Sequence, residues 1–350
     1  MALRINPARV PVWRDPHTLQ LGLGSEAVLL RDVQAPQERL INLLFRGIPS
    51  DSLGLLGRSV GVEDSEVESL MSRLKPAMLD SAVVVPESQL SQDFVRQAFA
   101  EIIRASFQHN VDGVAVLSKR AQQSVAIPRL NRVTLAVAFG LAESGVGRLI
   151  CTDHEPVGLE DLGSLGFDQK FLGSPKALAL AEMTSRNRQP LEVATEASRA
   201  GFDLLLACAA HPLSKADLDD FAALCQQDAA PRPRAKVAML PAAIAIELGV
   251  EQSNVSPVMV RGTTPCLDCR NRWRDVNDSS WAAIAAQLRN RRLRLDDAQT
   301  SLLTAALSLE RILGYLDRGL DPKFEASRID HRTGMVLSET WSPNGECPCQ

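Results

Sequence analysis

Near the N-terminus, apolar and polar side chains alternate over residues 18–30 (TLQLGLGSEAVLL), on both sides of a Gly-Ser pair. Alternation with period two predicts a β-hairpin. Three segments with apolar side chains at helical spacing follow, and a strand-like run stands at 82–86 (AVVVP). The helical segments are one that begins at Pro36 and carries Leu40, Leu43 and Leu44, one at 50–61 (SDSLGLLGRSVG), and one at 63–79 that places Val67, Leu70 and Leu74 on one face. This order predicts a small winged helix-turn-helix domain over residues 1–86.

After a predicted helix at 91–107 and a predicted strand at 112–117, apolar strands and helices alternate. Such alternation is typical of a mostly parallel, Rossmann-like sheet covered by helices, here predicted for residues 87–350. The predicted strands are 125–127, 148–152, 203–208, 236–240 and 257–260, the helices are 134–143, 175–187, 215–226 and 299–318, and a final hairpin covers 326–342 with HRTG as its turn.

Composition narrows the classes of function. Of the 350 residues, 45% are hydrophobic and 23% are charged, which is typical of a globular protein. The net charge of −4 predicts no nucleic-acid partner, and the acidic helix at 63–68 argues against DNA binding by the winged helix. The longest apolar run, 237–246 (VAMLPAAIAI), is too short to cross a membrane, and the first residues have no signal-peptide pattern. The sequence therefore predicts a cytoplasmic protein.

Four of the seven cysteines form two close pairs, and thiols in a reducing cytosol are more often metal ligands than disulfides. Cys266/Cys269 and Cys347/Cys349 supply the four thiolates of a closed, structural zinc site, although the second pair is CxC instead of CxxC. Unliganded thiols are the alternative. The other three are isolated: Cys151 and Cys208 lie in apolar strand segments and Cys225 in a predicted helix. None of these has the neighbouring base of a catalytic thiol, and the sequence predicts no catalytic residue.

Three motifs carry a family resemblance. They are 141–157 (LAESGVGRLICTDHEPV) with Asp153 and Glu155, 172–190 (LGSPKALALAEMTSRNRQP) with Lys176, and 262–269 (GTTPCLDC) with the CPC near residue 350. Together they resemble the ThiF/MoeB family of ubiquitin-activating-enzyme-like adenylyltransferases over roughly residues 120–350. The resemblance implies a homodimer and ATP-dependent activation of the C-terminus of a small ubiquitin-like or sulfur-carrier protein.

Two further segments resemble one branch of that family. They are 4–23 (RINPARVPVWRDPHTLQLGL) and 264–281 (TPCLDCRNRWRDVNDSSW), similar to actinobacterial ThiF-like proteins related to the ocin-type and cyclodehydratase partner proteins of peptide natural-product biosynthesis. In that branch the winged helix is a peptide-recognition element that binds a leader peptide along its hairpin edge, and a YcaO-type partner performs the ATP chemistry. The resemblance implies a peptide or small-protein partner for the N-terminal domain.

The chain departs from the adenylyltransferase pattern at three places. Residues 128–131 (PRLN) replace the glycines that let a backbone approach phosphates, 160–169 (EDLGSLGFDQ) lacks the family's arginine, and 205–211 (LLACAAH) lacks its magnesium-binding acid. These departures favour a non-catalytic protein with doubtful ATP and magnesium binding, and the adenylyltransferase remains the alternative. A residual nucleotide crevice would contain Arg129, Asp153, Glu155 and Lys176. Asp153 is either a ribose-binding acid or a relic, and Arg129 either an anion-binding or a surface residue.

Overall fold

The structure is a computed structural model that describes residues 2–80, 90–185, 191–199, 201–226, 242–291 and 293–349. The chain divides into two compact units, Met1–Lys119 and Arg120–Gln350. The predicted strands at 82–86 and 236–240 lie outside the described residues. The predicted domain boundary after residue 86 stays a prediction.

In the N-terminal unit, a three-stranded antiparallel sheet of order β2-β3-β4 covers a helical layer, and β1 pairs with β5. The strands are β1 (Ala2–Leu3), β2 (Pro11–Asp15), β3 (Thr18–Leu21), β4 (Val28–Leu30) and β5 (Ile48–Pro49), and the helices are α1 (Ala35–Arg46), α2 (Leu53–Ser59), α3 (Asp64–Leu74), α4 (Gln92–Gln97), α5 (Phe99–His109) and α6 (Gly113–Arg120). The core joins Leu21 and Leu30 of the sheet to Leu44 of α1 and Leu70 of α3, all with at most 1% of their surface exposed. The predicted hairpin and the first three predicted helices are confirmed.

Two predictions for the end of this unit are corrected. The predicted helix at 91–107 is two helices, because the backbone at Ala98 leaves the helical region with φ −83° and ψ 20°. The predicted strand at 112–117 is wrong, since these residues begin α6. The Asp112 carboxylate accepts a hydrogen bond from Val114 N at 3.0 Å, and Ser106 Oγ accepts one from Gly113 N at 2.9 Å. Side-chain acceptors at a helix start outweigh the strand preference of a valine-rich segment.

The C-terminal unit is built on a mixed eight-stranded sheet of order β13-β12-β11-β10-β9-β6-β7-β8. Its strands are β6 (Ser124–Ala126), β7 (Arg148–Ile150), β8 (Glu192–Ala194), β9 (Leu204–Ala209), β10 (Ala242–Glu247), β11 (Gln252–Val255), β12 (Glu325–Asp330) and β13 (Val336–Thr340), and its helices are α7 (Arg132–Glu143), α8 (Lys176–Thr184), α9 (Lys215–Cys225), α10 (Leu267–Asn277), α11 (Trp281–Arg289) and α12 (Ala298–Arg318). Five strands, β8-β7-β6-β9-β10, run parallel, and the other three continue the sheet antiparallel. The Rossmann-like prediction is confirmed, and so is the predicted final hairpin, which is β12 and β13. The sequence did not reveal β11, which joins this hairpin to the parallel strands.

Strand order reverses between β6 and β9, and in parallel α/β sheets such a reversal is where a ligand crevice lies at the carboxyl ends of the strands. Helix α7 begins at this crevice and packs along α12. The contact is close at Gly140, where a Cβ atom would lie 2.6 Å from Leu309 Cδ2. Among the described residues, none of the helices is both long and apolar enough to span a bilayer.

The predicted strand at 257–260 is wrong, because only a single bridge joins Met259 to Ala243. Pro257 has no N–H to donate, and Val260 N donates instead to Thr264 Oγ1 at 2.9 Å. The sequence did not reveal β10, whose six residues are all buried. A strand buried on both faces lacks the alternation that reveals a half-exposed strand.

Candidate functional site

The turn between β6 and α7 is bonded to the acid that follows β7. Asp153, with 1% of its surface exposed, accepts a hydrogen bond from Leu130 N to Oδ2 at 2.7 Å. Its Oδ1 accepts one from Glu155 N at 3.2 Å and lies 3.4 Å from Arg129 Nη1. Both oxygens of the Asp153 carboxylate are therefore bonded to groups of the chain itself.

The N-terminus of α7 is also satisfied by side chains. Asn131 caps the helix, with Oδ1 accepting from Thr134 N at 3.0 Å and Asn131 N donating to Thr134 Oγ1 at 2.9 Å. Arg132 N donates to Asp296 Oδ2 at 3.2 Å. Together with Leu130 N, which donates to Asp153, four backbone amides of the turn and the first turn of α7 donate to side chains. In a glycine-rich turn, such amides are free to bind phosphate.

Lys176, the first residue of α8, belongs to a buried ion-pair network. Its Nζ lies 3.0 Å from Asp161 Oδ2 and 3.4 Å from Leu130 O. Asp161 Oδ1 accepts a hydrogen bond from Arg294 Nη2 at 2.8 Å, and the same nitrogen lies 3.3 Å from Asp296 Oδ2. Burial acts to raise the pKa of Asp161, but the hydrogen bonds from Arg294, Gly158 N and Lys176 hold that pKa below its ordinary value. The two acids and two bases thus neutralise one another.

All four residues of the predicted nucleotide crevice lie together. Arg129 Nη1, which contacts Asp153, also lies 3.9 Å from Glu155 Oε1. Lys176 N donates a hydrogen bond to Glu155 O at 3.0 Å. Sequence reasoning missed Asp161, Arg294 and Asp296, which come from segments more than 100 residues apart. The available signal was the pair Asp296-Asp297 before α12, because one acid is enough to cap a helix. The pair does not show what the second acid contacts.

The four paired cysteines converge at one point. Cys266 lies at the N-cap of α10 and Cys269 in its first turn, while Cys347 and Cys349 lie in the last described segment. Their Sγ atoms all lie within 4.8 Å of one another, with 3.6 Å between Cys266 and Cys347 and 3.3 Å between Cys269 and Cys349. Four thiolates bound tetrahedrally at about 2.3 Å from zinc would lie about 3.8 Å apart. The cluster therefore fits a tetrahedral metal ion.

Three of these thiols differ in the direction of their pKa shifts. Burial raises the pKa of Cys266 and of Cys349. The pKa of Cys269 is lowered despite its burial, by the backbone N–H of Cys266 and by neighbouring donors. Metal binding needs all four as thiolates, so an ion would have to offset the burial of that negative charge.

The isolated cysteines are buried, as the sequence predicted for Cys151 and Cys208. Burial raises the pKa of these two thiols to about 12 and that of Cys225 to about 11. None of the three is the low-pKa thiolate of a cysteine nucleophile.

Comparisons with known proteins place the fold. No protein-family model matches the sequence, and no curated protein matches it. Among solved structures, E. coli MccB with ATP is 14% identical, with a TM-score of 0.64 over 100% of this chain and 99% of that chain. The microcin C7 biosynthetic enzyme MccB in complex with N-formylated MccA is 15% identical, with a TM-score of 0.65 over 100% and 99%. PaaA is 15% identical, with a TM-score of 0.64 over 95% and 98%.

These similarities show that the chain has the MccB fold over its whole length. The predicted resemblance to ThiF-like proteins of peptide natural-product biosynthesis is thereby confirmed at the level of the fold. The predicted doubt about ATP receives no support from them, because MccB was solved with ATP.

Proposed function

We propose that this chain is a ThiF/MoeB-like protein that binds a peptide or small protein and serves as the recognition subunit of a modification system. The whole-length similarity to MccB, which was solved in complex with MccA, supports a peptide partner. The N-terminal unit, interpreted as a winged-helix recognition element, would bind it.

The observation that carries this proposal is the N-terminal sheet. Within the predicted docking segment 18–30, β3 is paired on both sides. In the described part of the chain β4 pairs with β3 alone, so β4 can accept a further strand. Its Leu29 side chain is 41% exposed. Main-chain hydrogen bonds to β4 would supply affinity, and contacts with alternate side chains would supply specificity.

The other edge of the sheet supplies a matched control. All five residues of β2 are exposed, and Val12 is 40% exposed, almost as much as Leu29. Peptides should be selected on the full-length protein from a display library of randomised 20-residue peptides, and their affinities measured for Leu29→Lys and Val12→Lys. We expect at least about a tenfold loss for Leu29→Lys and little change for Val12→Lys. Equal affinities for wild type and both variants would contradict binding at this sheet.

For the C-terminal unit we propose a role without nucleotide chemistry. The contacts of Asp153, Asp161 and Asp296 within the crevice support it. The MccB structure with ATP favours the second candidate, an ATP-dependent adenylyltransferase acting on the C-terminus of a small ubiquitin-like or sulfur-carrier protein. There Arg129, Asp153, Glu155 and Lys176 would hold the nucleotide. Pyrophosphate release from ATP and magnesium in the presence of a small carrier protein or a selected peptide would support the second candidate. No ATP binding in calorimetric titration would support the first.

We further propose that the four-cysteine cluster holds one structural zinc ion. Four protein ligands leave no open position for a substrate or a water molecule, so the metal would join Cys347 and Cys349 to α10 and take no part in catalysis. A cytoplasmic homodimer through the C-terminal unit, with α12 at the interface, stays a prediction. Light scattering that gives only a monomer at micromolar concentration would contradict the dimer.

A further inference from the structure

The crevice has an acid where a nucleotide phosphate would need a donor. Asp296 precedes α12 in the chain, yet its Oδ2 accepts the hydrogen bond of Arg132 N, the first helical amide of α7. The side chain is buried, with 7% of the residue exposed. Its negative charge lies at the positive end of a twelve-residue helix, which is the position that favours an anion.

Neighbouring groups hold Asp296 in this position. Arg294 Nη2 bridges Asp296 Oδ2 and Asp161 Oδ1, and Asp161 is itself paired with Lys176. Ser301 Oγ donates to Asp296 O at 3.0 Å. The basic groups nearest the turn are therefore occupied by acids of the chain.

Arg132 is also directed away from the turn. Its Nη2 donates to Glu160 O at 3.3 Å and to Leu162 O at 3.1 Å. A phosphate at the start of α7 would meet the Asp296 carboxylate, and it would find the amides of Leu130 and Thr134 already bonded to side chains.

We propose that Asp296 is an internal occupant of the anion position at the start of α7, and that it blocks phosphate and nucleotide from the crevice. The inference rests on the proposed absence of nucleotide chemistry and supplies its cause. Removing the carboxylate would free Arg132 N and leave Arg294 with one acid fewer, so both changes would favour an added anion.

Calorimetric titration with inorganic pyrophosphate, and separately with ATP and magnesium, tests the proposal on the full-length protein. We expect no binding to wild type at millimolar ligand, and at least about a tenfold gain in affinity for Asp296→Ala. Asp296→Asn, which keeps the shape of the side chain, should gain less. Asp297→Ala is the matched control, because it removes the adjacent acid that caps α12 and leaves α7 unchanged.

The outcomes separate this inference from the proposed function. If neither wild type nor the Asp296 variants bind, Asp296 is not the block, although the absence of nucleotide chemistry stands. If wild type binds ATP and magnesium and Asp296→Asn loses that binding, both proposals are wrong and Asp296 assists the nucleotide. If the variants do not fold, pyrophosphate added to wild type must leave hydrogen exchange at the Arg132 amide unchanged. Slower exchange there would overturn the inference.

Discussion

The cysteine cluster and the crevice are both places where the C-terminal unit gathers potential ligand-binding groups, but they differ in what completes them. In the cluster, four thiols from segments about 80 residues apart face one another, and their spacing fits a metal ion. In the crevice, acids and bases from segments up to 133 residues apart face one another and neutralise their charges. The comparison shows that the cysteine cluster has a geometry that fits a ligand, whereas the charged side chains of the crevice are bonded to one another.

The largest expected effect is loss of the metal. Cys347→Ser leaves three thiolates, and we expect zinc content to fall well below one per chain. The free energy of unfolding should fall by about 5 kcal/mol or more, since structural zinc contributes about 10–16 kcal/mol in small domains. Elemental analysis and thermal unfolding measure both quantities. Cys225→Ser, a buried cysteine outside the cluster, should keep its zinc, and a folded wild type purified without chelator and free of metal would refute the site.

The second effect concerns the crevice network. Asp161→Asn leaves Lys176 and Arg294 without their shared acid, so we expect a loss of about 3 kcal/mol in the free energy of unfolding. Glu160→Gln is the control, because Glu160 pairs with Arg294 at 3.5 Å but is 59% exposed at its side chain. That control should cost less than about 1 kcal/mol. Equal costs for the two variants in urea unfolding would show that the network is not a buried, self-completed unit.

The same carboxylate predicts a pH dependence. Because the pKa of Asp161 is lowered in the folded state, its contribution is present above its unfolded pKa of about 3.9 and is lost as pH falls through the folded value. The stability difference between wild type and Asp161→Asn should therefore be constant near pH 6 and shrink below about pH 4. The pKa of Glu247 is also lowered, because Arg274 and Arg270 outweigh its burial. The free energy of unfolding of Asp161→Asn should therefore still fall in acid. A difference that grows on acidification would contradict the ion-pair assignment.

The smallest effect is expected at Arg129, whose side chain is 44% exposed and lies 3.4 Å from Asp153 Oδ1. Arg129→Met should change the free energy of unfolding by less than about 1 kcal/mol. It should also leave ATP titrations unchanged, because the proposed crevice holds no nucleotide. An ATP affinity that is measurable in wild type and lost in Arg129→Met would identify Arg129 as a nucleotide ligand.

The sequence predicted the cluster and the strand–helix alternation well, because both depend on local spacing. Cys266 and Cys269 are three residues apart, the helices showed apolar side chains at helical spacing, and the buried strand β9 showed a continuous apolar run. The prediction failed at Val114, where Asp112 caps a helix in a strand-like segment. It also failed at β10, because the strand of that apolar stretch was predicted at 236–240.

The crevice could be predicted only in part. Asp153, Glu155 and Lys176 were found because they lie in family-like motifs, and Arg129 because it lies in the turn where that family has glycines. Asp296 and Arg294 were missed because no local pattern shows which acid will reach a helix start more than 150 residues earlier in the chain. Contacts of this kind are set by the packing of α12 on α7, which tertiary structure alone reveals.

Native mass spectrometry of the full-length wild type, incubated with ATP and magnesium, tests the contrast between the two regions most directly. A single spectrum reports the metal and the nucleotide that each chain retains. We expect one zinc ion per chain and no bound nucleotide at millimolar ATP. A chain that carries ATP or its adenylate, or that is folded without zinc, would contradict this expectation.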